Sequence, residues 1–264
     1  MKHFSHNKSI LKSKLKNKEL SIGSWLTIPH QAVIEILSTA GFEWLTIDME
    51  HSPISIETIM NLIGHIQGNG MQALVRVSKN EEVAIKRVLD AGADGVIVPM
   101  IRNKEEAKQA VDYVKYPPIG KRGVGLNRAQ KYGTAFDTYQ EWVKDEVVVI
   151  AQIEHIDAVN NIEEILSVPG IDGTYIGPYD LSMSLGIPGQ LNHPDVIKAK
   201  NKVLEATLKK GLVAGIHCVH SDTAYTDSKL AIQQGYRFIA IGTDILFLGN
   251  SARSVYTEIQ KNIL

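Results

Sequence analysis

The feature that most constrains the fold is a repeated alternation of short apolar runs with longer amphipathic stretches. Eight such runs occur, and most are continuously apolar instead of alternating with polar residues. Short, continuously apolar runs are typical of parallel strands that are covered on both faces. The runs span residues 22–28, 44–50, 71–77, 95–101, 147–154, 173–180, 212–219 and 238–244.

The stretches between these runs have the apolar period of helices. Residues 55–67 and 80–91, for example, carry apolar side chains three or four positions apart. Glycine follows many of the helical patterns shortly before the next run, at the usual C-terminal cap of a helix. These glycines are Gly41, Gly70, Gly92, Gly170, Gly211 and Gly235.

Repeated helix–glycine–strand units predict βα repetition, and right-handed crossovers then give a parallel sheet. Eight units favour an α/β fold of the closed (β/α)₈ or TIM barrel type. A doubly wound open sheet is the alternative, but it would place a glycine-rich loop after the first strand, where residues 28–33 read IPHQAV. No linker divides the chain. We therefore predict one barrel domain over residues 21–264, preceded by a basic lead over residues 1–20.

Composition excludes several classes of protein. The 264 residues carry a net charge of −1 and include one cysteine, Cys218. A single cysteine forms neither an internal disulfide nor a cysteine-only metal site. The near-neutral charge gives no reason to expect nucleic acid as a partner, and no apolar stretch reaches the length of about 18 residues that spans a membrane. These observations predict a cytoplasmic globular protein that binds neither nucleic acid nor membrane.

The charge is concentrated at the start of the chain, where residues 1–20 hold six lysines and one acidic residue. A secretory signal is disfavoured because no apolar core follows the lysines. A membrane-surface helix is an alternative, but the segment has few apolar residues. We predict a frayed tail that leads into a short helix, with Leu11 and Leu15 on one face.

In a (β/α)₈ barrel, chemistry takes place at the C-terminal ends of the strands. Glu154 ends the fifth run and Asp180 ends the sixth, and neighbouring parallel strands lie about 4.8 Å apart. Two carboxylates at that separation can share a divalent cation, and hard oxygen ligands with open positions suit Mg²⁺ or Mn²⁺. The alternative is that each acid caps a helix or forms an ion pair.

Three further polar residues end the second and third runs. Asp48 and His51 are close enough in sequence for the carboxylate to fix the tautomer of the imidazole and create a general base; a structural hydrogen bond is the alternative. Arg76 suits a carboxylate or a developing oxyanion, or an ion pair with Asp48 or Glu50. None of the runs contains a lysine for Schiff-base chemistry, so carbonyl chemistry here would rely on a metal.

Two residues and one segment stay open at this point. His217 in the seventh run and Asp244 at the end of the eighth either pack inside the barrel or contact substrate. The irregular segment 115–135 is long, and long ordered loops in compact domains are more often functional than idle.

Six motifs, in order along the chain, resemble those of the HpcH/HpaI aldolase family. These are metal-dependent aldolases of 2-oxo acids within the phosphoenolpyruvate/pyruvate barrel superfamily. The resemblance covers about residues 10–260 and is much more specific for the family than for the substrate. The motifs are IDMEHSP (47–53), LVRV (74–77), LDAGADGVIVPMI (89–101), YPPIGKRGVG (116–125), AQIEH (151–155) and IGPYDLSMSLG (176–186).

The resemblance implies cleavage of a 4-hydroxy-2-oxo acid into pyruvate and an aldehyde, and the reverse addition. The metal would be held by Glu154 and Asp180 and would bind pyruvate, and Arg76 would stabilise the enolate oxygen. His51, supported by Asp48, would act through a water as the general base on the 4-hydroxyl.

The remaining implied roles concern substrate binding and assembly. Gln152 would orient the substrate, and the turn formed by Gly177, Pro178 and Tyr179 would hold the pyruvate carboxylate. Tyr179 is bulky where many relatives have a smaller residue, so we expect specificity for the aldehyde to differ here. The family also implies a homohexamer in which subunits exchange the last helix, here residues 246–262.

Two other function classes compete with the aldolase. A condensing enzyme of the same superfamily, such as the citrate-forming enzymes of siderophore biosynthesis, would retain the metal pair and Arg76. A barrel kept only as a binding protein would lose residues at the strand ends, and none is lost here.

Overall fold

A computed structural model of the protein describes residues 7–263. Eight parallel strands close into one barrel, in which each strand pairs with its neighbours in the chain and the eighth pairs with the first. This confirms the predicted (β/α)₈ fold. The strands are β1 (Ser21–Leu26), β2 (Trp44–Asp48), β3 (Gln72–Arg76), β4 (Gly95–Val98), β5 (Val148–Ile153), β6 (Gly173–Ile176), β7 (Val213–Cys218) and β8 (Phe238–Thr243).

Helices surround the barrel and connect its strands. Within residues 7–263, none of them is both long and apolar enough to cross a membrane. They are α1 (Ile10–Asn17), α2 (Gln31–Ser38), α3 (Ile56–Gly68), α4 (Glu82–Asp90), α5 (Lys104–Val114), α6 (Phe136–Asp145), α7 (Ile156–Asn160), α8 (Ile162–Leu166), α9 (Pro178–Ser184), α10 (Pro194–Lys209), α11 (Ala224–Gln234) and α12 (Asp244–Asn262).

Every predicted run overlaps a strand but continues past its C-terminal end. The largest difference is in residues 173–180, where β6 ends at Ile176 and α9 already begins at Pro178. The six glycines predicted as helix caps all have positive φ, between 80° and 111°, a conformation that glycine adopts at little steric cost. The residues beyond the strands therefore belong to the loops that form the mouth of the barrel.

Large side chains fill the inside of the barrel. Trp44 stacks on Phe238 with ring centroids 4.3 Å apart, and Trp25 donates a hydrogen bond from Nε1 to the Tyr175 hydroxyl at 3.0 Å. A Cβ atom on Gly23 would lie 2.1 Å from the ring of Trp44. Glycine at position 23 therefore gives the indole its space within the barrel.

Helix α1 closes the N-terminal end of the barrel. Leu11 and Leu15 are buried and belong to the same apolar cluster as the inward-facing side chains of the strands. Lys12 is also buried, and its Nζ lies 2.5 Å from Asp172 Oδ1 and 2.9 Å from the Val147 carbonyl oxygen. The short helix expected near the start of the chain is thus present, while residues 1–6 of the predicted tail, including Lys2, lie outside the described residues.

The irregular segment 115–135 connects α5 with α6 and lies at this same N-terminal end. Its buried Arg122 donates to Asp90 Oδ1 at 2.6 Å, and Arg128 donates to Gln67 Oε1 at 2.8 Å and to the Ala91 carbonyl oxygen at 3.1 Å. Both anchors are at the C-terminal ends of helices, which run opposite to the strands. Within one chain, the segment therefore lies away from the cavity at the C-terminal ends of the strands.

Candidate active site

The C-terminal ends of the strands surround a cavity of about 180 Å³. Eight of the nine site residues predicted from the sequence line it, and the ninth, Glu154, lies directly behind its wall. The eight are Asp48, His51, Arg76, Gln152, Gly177, Pro178, Tyr179 and Asp180. They lie on β2, β3 and β5, on the loop after β2 and at the start of α9 after β6, so the fold brings together side chains that are far apart in the sequence.

Glu154 follows β5 and is buried. Its Oε1 accepts a hydrogen bond from the Met100 backbone N–H at 2.8 Å, and its Oε2 accepts one from Gln152 Nε2. Burial, together with the negative charges of Glu50 and Asp180, raises the pKa of Glu154 to about 7 despite these hydrogen bonds. A Cβ atom on Gly177 would lie 2.6 Å from Glu154 Oε2, so glycine is needed there for the carboxylate to keep its position.

Asp180 lies on the first turn of α9, and not at the end of β6 as the apolar run suggested. The spacing of neighbouring strands therefore does not set its distance from Glu154. The alternative of Asp180 as the cap of this helix is also not observed, because Gly177 occupies the N-cap position. Asp180 is exposed at the mouth, and its charge reaches Glu154 closely enough to raise the pKa of that buried carboxyl.

Arg76 and Asp48 form a bidentate ion pair. Asp48 and Arg76 are register partners on β2 and β3, and Arg76 donates from Nε to Oδ1 at 2.9 Å and from Nη2 to Oδ2 at 2.6 Å. The guanidinium also lies over the ring of Trp25, 4.5 Å from its centroid. These contacts fix the guanidinium plane at the wall of the cavity.

The His51 ring lies at the rim, with its side chain 62% exposed and Nε2 3.7 Å from Glu50 Oε2. Asp48 Oδ1 accepts hydrogen bonds from the backbone N–H groups of Glu50 and His51 at 3.0 and 3.3 Å. The predicted support of the imidazole by Asp48 is therefore not a side-chain contact. Asp48 shapes the loop that carries His51, and Glu50 is the acid that faces the ring.

Glu50 is a site residue that the sequence reasoning did not select. Its Oε2 is buried and makes no hydrogen bond within the described residues, although Arg76 Nη1 lies 3.4 Å away. Burial raises the pKa of Glu50 against the lowering effect of Arg76. The signal in the sequence was its position between Asp48 and His51 in the motif IDMEH.

The acids at the mouth outnumber the cations there. Asp48, Glu50, Glu154 and Asp180 influence one another electrostatically, and Arg76 is the cation that they share. Within residues 7–263, no three His, Cys, Asp or Glu side chains form a ready-made metal cage. Two carboxylates with open positions, beside the buried and unpaired Oε1 of Gln152, fit a hard divalent cation that completes its shell with water and substrate.

The two residues left open by the sequence have separate roles. His217 lines the cavity, its ring centroid lies 5.5 Å from that of Trp25, and its Nε2 lies 2.9 Å from the Gly242 carbonyl oxygen. Burial lowers the pKa of His217 to about 4, so this imidazole is neutral at pH 7. Asp244 is structural, because its carboxylate accepts hydrogen bonds from the backbone N–H groups of Thr27 and Ile28 and from the Thr27 hydroxyl.

Tyr179, expected to affect specificity, lies above the cavity and is 40% exposed. Its hydroxyl lies 3.0 Å from Nε2 of His220 in the loop after β7. The phenol therefore reaches from the first turn of α9 to the loop after β7.

Known proteins resemble this chain in sequence and in fold. A curated relative from Pseudomonas putida, named 2-dehydro-3,6-dideoxy-6-sulfogluconate aldolase, is 37% identical over 93% of this chain and 95% of its own. A relative from Escherichia coli, named 4-hydroxy-2-oxo-heptane-1,7-dioate aldolase, is 37% identical over 92% of each chain. The crystal structure of the citrate synthase SbnG superposes with a TM-score of 0.84 at 29% identity, covering 95% of this chain and 98% of the other.

The family assignment depends on the length of the match. The sequence pattern of the HpcH/HpaI aldolase/citrate lyase family matches residues 21–250, which include every strand and all nine predicted site residues. The chain therefore belongs to the HpcH/HpaI aldolase/citrate lyase family, as its motifs predicted.

Proposed function

We propose that this protein is a divalent-metal-dependent (class II) aldolase that reversibly cleaves a 4-hydroxy-2-oxo acid into pyruvate and an aldehyde. The observation that carries the proposal is the cavity at the mouth of the barrel, which brings together eight of the nine predicted site residues, with the buried Glu154 carboxyl behind its wall and Arg76 as the nearby cation. A buried acid so poorly neutralised by the protein suits a site completed by a cation. Family membership supports a carbon–carbon lyase, and the names of the two aldolase relatives support a 2-oxo acid substrate.

Glu154 and Asp180 would hold the metal ion, and Mg²⁺ or Mn²⁺ fits their hard oxygen donors. When bound, such an ion would act as a Lewis acid toward the 2-oxo group of the substrate. Gln152 donates to Glu154 from Nε2, and its buried Oε1 has no hydrogen-bond partner among the described residues. Gln152 would thus keep the carboxylate in place and orient a substrate donor with its free oxygen.

Arg76 provides the second positive charge at the reacting centre. When the bond between C3 and C4 breaks, negative charge develops on the 2-oxygen of pyruvate, and a cation fixed in advance stabilises this charge more in the transition state than in the ketone. Asp48 holds the guanidinium through two hydrogen bonds, so it does not have to reorient during the reaction. The turn of residues 177–180 would hold the pyruvate carboxylate.

His51 would be the general base. Its ring is exposed at the rim, where it can take the proton of the 4-hydroxyl through a water and later return a proton to C3. Glu50, 3.7 Å from Nε2, would stabilise the imidazolium that forms. The neutral His217 would present a polar but uncharged surface to the aldehyde end of the substrate.

Other features of the chain bear on its assembly and its compartment. Helix α12 exposes Val255, Tyr256 and Ile259 on its surface, and apolar side chains at this spacing form a stripe that suits contact with another subunit. This supports a subunit contact through the last helix, which is the contact that the expected homohexamer with an exchanged last helix would use. The free and buried Cys218 is consistent with the reducing cytoplasm.

The second candidate is a condensing enzyme that adds a pyruvate or oxaloacetate enolate to another acceptor. It is favoured by one observation, the similarity in fold to the citrate synthase SbnG. Both functions would use Arg76 and the metal pair, so the residues near the enolate do not distinguish them. The acceptor distinguishes them, because acetyl-CoA is far larger than a small aldehyde.

The test is a pyruvate-release screen over 4-hydroxy-2-oxo acids of varied length and charge, with Mg²⁺, Mn²⁺ and other first-row divalent ions added to chelator-treated protein. A parallel reaction contains oxaloacetate and acetyl-CoA. We expect metal-dependent pyruvate release and no citrate. Pyruvate release that survives exhaustive chelation would contradict the metal-dependent mechanism, and citrate formation without aldol cleavage would favour the condensing enzyme.

A further inference from the structure

Four side chains from the odd-numbered strands form one layer at the floor of the mouth cavity. Side chains alternate between the two faces of a strand. A Cβ atom on Gly215 would lie 2.7 Å from the ring of Tyr175 and 2.8 Å from that of Phe238 inside the barrel, so His217, two positions later, also faces inward. Layers of four side chains from alternate strands are usual in this fold. The members of this layer, all of which line the cavity, are Trp25, Arg76, Gln152 and His217.

His217 lies on the side of the layer that the proposed enolate chemistry leaves free. Arg76 on β3, and Gln152 on β5 with Glu154 behind it, belong to the part of the cavity that would hold pyruvate and the metal. In the closed barrel, β7 is opposite β3. The Trp25 ring contacts both sides, with its centroid 4.5 Å from the Arg76 guanidinium and 5.5 Å from the centroid of the His217 ring. The β7 side of the cavity is therefore left for the aldehyde carbons.

The hydrogen bond of His217 determines which of its ring nitrogens can accept. Nε2 lies 2.9 Å from the Gly242 carbonyl oxygen, and a carbonyl oxygen only accepts, so Nε2 carries the proton. Burial, together with the charge of Arg76, lowers the pKa of His217 to about 4, so the ring is neutral at pH 7. Nδ1 is then a hydrogen-bond acceptor, and it makes no hydrogen bond within residues 7–263.

Few groups of the substrate can donate to this acceptor. Pyruvate, as ketone or as enolate, has only acceptor oxygens at neutral pH, and a metal ion has no hydrogen to donate. The 4-hydroxyl gives its proton to His51 through a water in the proposed mechanism. A hydroxyl on the aldehyde carbons is thus the donor that remains for His217. A site that binds such a hydroxyl rejects the analogue without it, because the acceptor is then buried and unpaired.

We propose that His217 is a specificity-determining residue whose Nδ1 accepts a hydrogen bond from a hydroxyl at C2 or C3 of the aldehyde. The Gly242 carbonyl fixes the tautomer, so the imidazole distinguishes a hydroxylated aldehyde from the same aldehyde without the hydroxyl. The inference rests on the proposed aldolase function and adds to it the residue that recognises the aldehyde.

The first test uses the unmodified enzyme, loaded with Mg²⁺ or Mn²⁺. The kcat/KM values for the addition of pyruvate to lactaldehyde and to 3-hydroxypropanal are each divided by the value for propanal, which has the same carbon chain and no hydroxyl. We expect at least one of these hydroxyl ratios to be about fivefold or more, the effect of one hydrogen bond. If propanal is an equal or better acceptor than both hydroxyaldehydes, the proposal is wrong.

Two variants of similar shape then assign the effect to Nδ1. The amide of glutamine reaches the position of Nε2, whereas the shorter asparagine places its amide at the position of Nδ1. The hydroxyl ratio should therefore fall by about fivefold in His217→Gln and stay within about twofold of the wild type in His217→Asn. Val219→Ala changes an apolar residue of the same cavity and is the matched control. An unchanged ratio in His217→Gln, or an equal loss in Val219→Ala, would overturn the proposal.

Metal-dependent decarboxylation of oxaloacetate separates this proposal from the proposed function, because it needs Arg76 and the metal but no aldehyde. We expect decarboxylation to be affected far less in His217→Gln than the addition to the hydroxyaldehyde, which also shows that the variant folds. An equal loss of both reactions would place His217 in the enolate chemistry and contradict the assignment. If the wild type catalyses neither decarboxylation nor aldol addition, the proposed aldolase function itself fails.

Discussion

The two ends of the barrel both carry clusters of acidic side chains, and the clusters differ in how their charge is balanced. At the N-terminal end, Glu43, Asp94 and Asp172 each precede an even-numbered strand. Each accepts a backbone N–H of the preceding odd-numbered strand, from Ile22 at 3.4 Å, Ala73 at 2.7 Å and Val149 at 2.8 Å. Each also accepts a side-chain donor, from Ser21, Gln67 and Lys12 respectively. These acids have structural partners.

At the C-terminal end, Asp48 and Glu154 also accept backbone and side-chain donors, but Asp48, Glu50, Glu154 and Asp180 are grouped around a single nearby cation, Arg76. The pKa of Asp94 is raised to about 6 and that of Glu154 to about 7, in both cases mainly by burial. A shifted pKa therefore does not distinguish a structural acid from a functional one in this protein. The difference is that the excess negative charge at the mouth is offset only when a cation binds there.

The largest effect is expected from Glu154→Gln at the mouth, paired with Asp172→Asn at the opposite end. Glutamine keeps the shape of the side chain but removes the charge, so metal-dependent pyruvate release should fall by about 10³-fold or more. The thermal midpoint should not fall, because a poorly neutralised buried carboxylate has been removed. Asp172→Asn should do the reverse, lowering the midpoint while turnover continues. Similar turnover in Glu154→Gln and Asp172→Asn would contradict the assignment of a catalytic role to the C-terminal end and a structural role to the N-terminal end.

His51→Ala tests whether His51 is the general base at the mouth of the barrel. Loss of the general base should slow aldol cleavage by about 10²–10⁴-fold. Decarboxylation of oxaloacetate should be affected far less, because it involves no 4-hydroxyl proton. Stopped-flow or coupled assays of both reactions on the same preparation make the comparison, and an equal loss in both would show that His51 is not the base.

Lys12→Met tests whether the N-terminal end is purely structural. The variant leaves Asp172 buried without its cation, and breaking such a pair costs about 3–5 kcal/mol of unfolding free energy. Chemical denaturation measures this loss, and kcat per folded molecule should be unchanged. Lys16→Met, on the exposed side of α1, is the control and should change stability by less than about 0.5 kcal/mol.

The smallest effect concerns the pH dependence of stability. Because the pKa of Asp94 is raised from 3.8 to about 6 in the folded protein, the unfolded chain loses this proton first. The contribution of Asp94 to stability is complete below about pH 4 and declines by about 2–3 kcal/mol as the pH rises to about 6. Asp94→Asn keeps an oxygen for the Ala73 N–H and should lack this decline. Chemical denaturation at pH 4 and pH 6 measures this decline in the free energy of unfolding. The same decline in Asp94→Asn and in the wild type would contradict the prediction.

Much of the fold followed from the sequence because parallel strands and their helices have strong local signals. The apolar runs located all eight strands, and the glycine positions located the helix ends. The C-terminal ends of the strands were less predictable, since the apolar run of β6 continues without interruption into α9. Asp180 was for this reason assigned to a strand end when it lies on a helix.

The residues of the candidate site were predicted from their types, and an ion pair of Arg76 with Asp48 or Glu50 was one of two alternatives that the sequence left open. The structure shows this ion pair, and the register of β2 against β3, which the sequence does not display, brings Asp48 beside Arg76. The Tyr179–His220 hydrogen bond joins α9 to a loop 41 positions later in the chain and left no local signal in the sequence. Segment 115–135 lies at the N-terminal end of the barrel, a placement that its length alone did not reveal.

The difference between the two ends is tested most directly by calorimetric titration of the chelator-treated protein with Mn²⁺. We expect one Mn²⁺ site per chain in the wild type, no such site in Asp180→Asn, and an unchanged site in Asp172→Asn. Binding that survives in Asp180→Asn but disappears in Asp172→Asn, or no binding to the wild type, would contradict a metal-binding mouth and a purely structural opposite end.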